Sequence, residues 1–361
     1  MAVIDDDSRD PLGGRTRRLD STKSRFHVAK QGTVNWAIVG LGDIVRKRVA
    51  SAILQQPDSS LYACVTRDPH ARNADLESLA PTRVYRNVDR MLADPNVHAV
   101  YLATPVHRHA PHAIAGLKAG KDVLVEKPMA LDAARAGEMC RVARQTGRRL
   151  AVAYYRRFWS RFQLVQGMLE GGDFGQVISV RMALSSWYHP DRQTPGAWRT
   201  KRELSGGGVL ADVGCHRLDL LAWWFDLPRR LVADVRTLTH DCEVEDSANV
   251  LMELAGGAQF TGSFHWNSKH RTDEIRILGT DAEASLYGGD DPEVVITRGR
   301  DTERRQLPRP ENGHQPLVDD FARAVIEDRP PQFTGPDGMK ATQIIEAIYR
   351  SSQRRTWVDI P

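Results

Sequence analysis

The chain has 361 residues, 41% of them hydrophobic and 27% charged, with a formal net charge of +4. That composition fits a globular protein of about two domains with a substantial core. The basic excess is too small and too spread to read as a nucleic-acid footprint, and no apolar run approaches the ~20 residues of a membrane span. The four cysteines, Cys64, Cys140, Cys215 and Cys242, lie far apart without CxxC or metal-ligand spacing. A reducing, cytoplasmic setting is therefore expected.

Residues 1–32 are polar and lack apolar periodicity, so they read as a flexible N-terminal arm. Arg15, Arg17 and Arg18 precede no apolar stretch, which argues against a signal peptide. A dinucleotide-binding domain is expected over 33–154. Val34 to Val39 (VNWAIV) reads as a strand running into Gly40-Leu41-Gly42-Asp43-Ile44-Val45 and a helical stretch to about Gln56. Gly40 would permit the tight turn, and Gly42 would let a pyrophosphate approach the backbone. Asp43 and Ile44 open the helix, whose N-terminus favours negative charge. The third glycine of the dinucleotide fingerprint is replaced by Val45. A second strand, Leu61 to Val65, ends in Thr66-Arg67-Asp68. A hydroxyl beside a guanidinium suits a 2′-phosphate, which places NADP ahead of NAD. Asp68 keeps NAD open.

Ala99 to Pro105 reads as a strand with a turn at its end. His107, His109 and His112 follow, offset by two and three residues with Pro111 between them. With no acidic ligand nearby, they suit helix-surface and cap roles, and no metal site is expected. Asp122 to Val125 gives another strand, ending in Glu126-Lys127-Pro128.

The second domain is expected over 155–361. Tyr155, Arg156, Arg157, Phe158, Trp159 and Phe162 make an aromatic and basic segment at the join. Val177 to Leu184 alternates like a strand, leaving Ser185 to His189 and Trp198-Arg199 as loop residues. Their rings and donors fit the face of a sugar or cyclitol ring. Gly206, Gly207 and Gly208 then precede a helical pattern in which Asp212, His216 and Asp219 fall at steps of four and three, on one face. An imidazole between two acids suits proton transfer to or from a hydroxyl, and equally a buried structural ion pair. Val232–Thr239, Ala248–Leu254, Ala258–Trp266 and Glu274–Leu278 read as further strands. Gln315–Glu327 and Gly338–Gln353 carry helical periodicity.

Taken in series, Gly40-Leu41-Gly42, Ala103-Thr104-Pro105 with His109, Glu126-Lys127-Pro128, Tyr155-Arg156-Arg157-Phe158, Trp198-Arg199 and the Asp212/His216 helix resemble the glucose–fructose oxidoreductase, inositol dehydrogenase and rhizopine catabolism family. The resemblance runs from about Val34 to the C-terminus. It implies an α/β Rossmann domain followed by an α+β domain, an open mixed sheet with helices on one face. It also implies an NAD(P)-dependent oxidoreductase acting on a secondary hydroxyl of a sugar, sugar derivative or cyclitol, assembled as a homodimer or homotetramer. Lys127 would bond the reacting oxygen, His216 would move the proton and Asp212 would orient it. Thr104, Pro105, His109, Glu126 and Lys127 would contact the cofactor. Arg157, Trp198, Arg199, Asp212, His216 and Lys127 would face the substrate. The family often has Asn after Thr-Pro, where this chain has Val106. Two other readings stay open: a redox-neutral glycosidase that oxidises its substrate transiently, and a non-catalytic cofactor-binding regulator.

Overall fold

Six short apolar strands alternate with helices, and strands covered on both faces by helices pair in parallel. The computed structural model describes residues 2–3, 32–191, 193–289 and 291–360. Most of the arm expected over residues 1–32 lies outside the described residues. The first sheet runs Arg83–Tyr85, Ser59–Val65, Val34–Val39, Ala99–Leu102, Asp122–Val125, Leu150–Val152, all parallel. Numbered by chain position the order is 3-2-1-4-5-6, the doubly wound order of dinucleotide-binding domains. Ala2–Val3 adds a two-residue parallel strand at the Arg83–Tyr85 edge. The order reverses on either side of Val34–Val39, so the crevice forms beyond the C-terminal ends of these strands. The residues at those ends are Gly40, Thr66, Ala103 and Glu126.

The second sheet has nine strands. Its order is Asp301–Gln306, Glu293–Arg298, Glu283–Tyr287, Asn267–Gly279, Val177–Trp187, Gln259–His265, Ser247–Glu253, Arg230–Arg236, Val358–Asp359. The central strand Val177–Trp187 is parallel to Gln259–His265 and antiparallel to Asn267–Gly279. Val180, Met182 and Leu184 alternate inward to a core shared with the helices Cys215–Phe225 and Gly335–Arg354. The other face, with Arg181, Thr261 and Leu251, is uncovered.

Two expectations need correction. Ser185, Ser186 and Trp187 belong to the central strand, not to a loop. The strands Glu283–Tyr287, Glu293–Arg298 and Asp301–Gln306 had no counterpart in the sequence reading. The last of these is almost wholly exposed, so it carries no apolar alternation to find.

Two of the contacts at the join of the halves show how it is held. Helix Gln315–Ile326 sends Leu317, Val318 and Phe321 into the core beneath the first sheet, with Phe321 5.6 Å from the Trp36 ring. Arg157, from the segment after the last strand of that sheet, grips Asp219 with two bonds of 2.9 and 2.6 Å. Both residues are buried, and Phe333 stacks on the guanidinium at 4.9 Å. Burial pushes the Asp219 carboxyl up to about 6 against the pull of Arg157. Removing one partner strands the other charge away from water. Arg157→Met should therefore cost about 3–5 kcal/mol in urea unfolding, and adding Asp219→Leu should recover most of it. A single-variant loss below about 1 kcal/mol would contradict this reading of the pair.

Candidate functional site

A cleft of about 880 Å³ opens where the first sheet's strand ends meet the second domain. Its roof begins at Gly40, whose φ of +94° is left-handed. A Cβ there would lie 2.8 Å from the Ala103 carbonyl oxygen, so only glycine lets these two strand ends close together. At Gly42 a Cβ would meet nothing within 4 Å, which leaves an open ledge over the start of the helix that follows. Asp43 and Ile44 line the cleft at that helix start, and first-turn amides have no partner within their own helix. Asp43 pairs with Arg46 and Lys47. Val45, at the third fingerprint position, is fully buried and opens a π turn, Val45–Val49.

One end of the cleft is basic. Thr66 and Arg67 line it as expected, joined by Arg46, Arg72 and Arg86, which the sequence reading missed. Arg46 and Arg72 both reach Asp75, at 3.2 and 3.5 Å. Asp68 takes the Ala71 amide at 3.0 Å and does not line the cleft.

The other end holds Glu126, Lys127, Tyr155, Trp198, Arg199, Asp212, His216 and His314. Lys127 donates to the Asp212 carbonyl oxygen at 2.6 Å and to its Oδ1 at 3.3 Å. Burial opposes the ammonium, but Asp212, Cys215 and Glu126 outweigh it and hold Lys127 charged, above its ordinary range. Arg199 donates from Nε to the same Asp212 oxygen at 3.3 Å and stacks over Trp198 at 4.7 Å. His216 is buried, and its Nδ1 has no hydrogen-bond partner. The Tyr155 and Tyr154 rings meet it edge-on, at 5.2 and 6.0 Å. Burial first, then Lys127, Arg156 and Arg217, push His216 well below the ordinary imidazole value. At neutral pH it is an uncharged imidazole, able to accept a proton.

This arrangement departs from the acid–histidine–acid face read from the spacing. Asp212 sits in a π turn, Leu210–Gly214, and its carboxylate is taken by two cations rather than by His216. Charge-assisted bonds to Lys127 and Arg199 win over a neutral imidazole. Asp219 is turned to Arg157, outside the cleft. Arg157 does not line the cleft either, so its place is in the packing between halves and not against substrate.

Thr104, Pro105 and His109 line the cleft, with Thr104 Oγ1 buried and unpartnered. The ring nitrogens of His109 lie 3.0 Å from the Pro128 carbonyl oxygen and 2.8 Å from that of Thr104. It thus ties two strand-end turns together. Val106 is buried where the resemblance suggested Asn. His107, Arg108 and His112 also border the cleft, and no metal-binding group of three occurs among the described residues.

A bound dinucleotide fits these residues. The Gly42 ledge and helix start suit a pyrophosphate, and the arginine end suits a phosphorylated ribose. Buried, unpartnered atoms on Thr104, His107, His112, His216 and His314 all belong to residues that line the cleft. Such atoms cost stability unless a ligand or water completes them.

Comparison with known proteins agrees with this geometry. Residues 34–154 match the model of the oxidoreductase family with an NAD-binding Rossmann fold, and residues 162–285 match the GFO/IDH/MocA C-terminal domain. The 1,5-anhydro-D-fructose reductase of Ensifer adhaerens is 28% identical over 313 residues, covering 84% of this chain and 92% of that protein. A scyllo-inositol 2-dehydrogenase (NADP(+)) of Bacillus subtilis is 25% identical, over 75% of this chain and 82% of its own. The crystal structure of aldose-aldose oxidoreductase from Caulobacter crescentus, complexed with glycerol, is 26% identical. It superposes with a TM-score of 0.83 over 91% of this chain and 99% of its own. With both domain models matched in order and the glycine turn, Lys127 and His216 facing one cleft, the chain belongs to the GFO/IDH/MocA family of NAD(P)-dependent oxidoreductases.

Proposed function

We propose that this protein exchanges a hydride between a nicotinamide cofactor and a secondary hydroxyl or ketone of a sugar, sugar derivative or cyclitol. The observation that carries the reading is a fixed ammonium and a neutral imidazole lining the same end of one cleft. The similar proteins named as acting on an anhydrosugar, an inositol and aldoses support the substrate class.

When bound, the nicotinamide supplies the hydride chemistry. The chain's residues do the rest. Lys127 donates a hydrogen bond to the substrate oxygen and stabilises the negative charge that develops there. His216 takes the hydroxyl proton during oxidation and returns it during reduction. Asp212 holds the Lys127 ammonium in place and keeps it charged, so its role runs through Lys127 rather than through the histidine. Trp198, with Arg199 stacked on it, offers a flat apolar face with polar donors at its edge, which suits a pyranose or cyclitol ring. Lys127→Met and His216→Ala should each lower kcat by ~10²–10⁴-fold with the fold intact by circular dichroism. Near wild-type rates in both variants would end the assignment.

NADP is read ahead of NAD, because Thr66, Arg67, Arg72 and Arg86 border the basic end of the cleft and Asp68 does not. A 2′-phosphate there would meet guanidinium donors, whereas Asp68, the carboxylate at the strand tip that would accept from a ribose diol, does not line the cleft. Steady-state kcat/KM should be about ten-fold or more higher with NADP, the worth of one charge-assisted bond. A strong preference for NAD contradicts this.

The uncovered face of the nine-stranded sheet, with Arg181, Thr261 and the 38%-exposed Leu251, supports a homodimer or homotetramer. Sedimentation at micromolar concentration should find no monomer, and a monomer alone would defeat the assembly. All four cysteines are free thiols, which supports residence in the reducing cytoplasm.

A further inference from the structure

His314 stands at the reacting end of the cleft with nothing in the proposed chemistry to do. It lies in the turn before helix Gln315–Ile326, about 100 residues after His216 in the chain, and is 3% exposed. Among the described residues neither ring nitrogen has a hydrogen-bond partner. The nearest carboxylate oxygen, Glu126 Oε1, is 3.7 Å from Nε2, longer than a hydrogen bond. That carboxylate accepts from Tyr101 Oη at 2.8 Å and from the Lys127 amide at 3.1 Å. The Tyr155 ring lies against the imidazole at 4.3 Å, and the same ring meets His216 at 5.2 Å in a T-shaped contact. His314 and His216 therefore flank one tyrosine on the same cleft wall.

The turn that carries His314 is held from three sides. Asn312 donates to the Arg48 carbonyl oxygen at 2.8 Å and to Ser51 Oγ at 2.9 Å. Gly313 offers its carbonyl oxygen to Trp159 Nε1 at 3.2 Å, and a Cβ on Gly313 would lie 2.8 Å from the Trp159 ring. The Asn312 side chain also accepts the His314 amide at 3.0 Å. A buried imidazole fixed this firmly, with both nitrogens lacking hydrogen bonds within the protein, carries a desolvation cost that a bound group would relieve. Fixed polar groups facing a cleft are the usual form of a pre-organised ligand contact.

We propose that His314 is a ligand-binding residue that hydrogen-bonds an uncharged donor–acceptor group in the cleft. The group is either the carboxamide of the nicotinamide or a hydroxyl of the substrate. Both can donate to one ring nitrogen or accept from the other, and neither needs a charge on the imidazole. The assignment rests on the cofactor-dependent reading of the site, but its first test needs no turnover.

The test uses His314→Phe and His314→Asn in the full chain, with binding of NADPH and NADH followed by cofactor fluorescence. Phe keeps the stack on Tyr155 and removes both nitrogens. Asn keeps a donor and an acceptor. The Phe variant should melt no lower than wild type, because it deletes two unmet buried polar atoms. If the carboxamide is the partner, its Kd for reduced cofactor rises about ten-fold, and Asn restores much of the loss. If a substrate hydroxyl is the partner, Kd is unchanged and KM rises about ten-fold with the Phe variant, again restored by Asn. A folded Phe variant with Kd, KM and kcat all within two-fold of wild type overturns the proposal. So does an Asn variant no better than Phe. Wild-type protein that binds cofactor but turns over no polyol would count against the dehydrogenase reading and leave the Kd comparison standing.

Discussion

Lys127 joins the two halves of the active cleft. Its backbone ends a strand of the first sheet, and its ammonium bonds the carbonyl and carboxylate of Asp212 at the start of the second domain's helix. A charge this enclosed survives only with partners, because leaving water costs several kcal/mol per ion. Asp212 supplies that compensation and is itself shared with Arg199. The cation and its counter-ion, from opposite sides of the cleft, are thus placed by one contact.

The charge pattern around that contact explains how His216 differs from a carboxylate-assisted base. No acid among the described residues bonds it, and the charges of Lys127, Arg156 and Arg217 act on it. The imidazole rests neutral, and an imidazolium formed there gives up its proton more readily than a free one. Lys127 and His216 therefore stand apart in charge at neutral pH, one fixed positive and one able to take a proton. Two titratable groups pushed in opposite directions in one cleft are the usual arrangement for dividing charge stabilisation from proton transfer.

Much of this was legible in the chain itself. Gly40 and Gly42 after an apolar run placed the crevice, since few residues tolerate that backbone and that approach. Lys127 and His216 stood out because each sits at a strand end or helix start with motif neighbours. What was not legible depended on partners remote in sequence. Spacing put Asp212, His216 and Asp219 on one face, but it could not show that Lys127, Arg199 and Arg157 would claim the two acids. Arg157 looked like a sugar contact because it lies among aromatic residues, and those residues are its packing. Arg72 and Arg86 reach the basic end from separate loops. His314 follows an Asn-Gly turn that any surface loop could carry. The strand Asp301–Gln306 escaped because an exposed edge strand needs no apolar alternation.

The central claim is the proposed net hydride transfer between a carbinol and the nicotinamide in the Lys127–His216 cleft. Absorbance at 340 nm tests it most directly, with NADP and NAD supplied separately over sugars, sugar acids and inositols. The account predicts a steady rise with one polyol family. Cofactor binding with no rise on any of them, joined to release of aglycone from aryl glycosides, would contradict it and point to a reaction that returns its hydride.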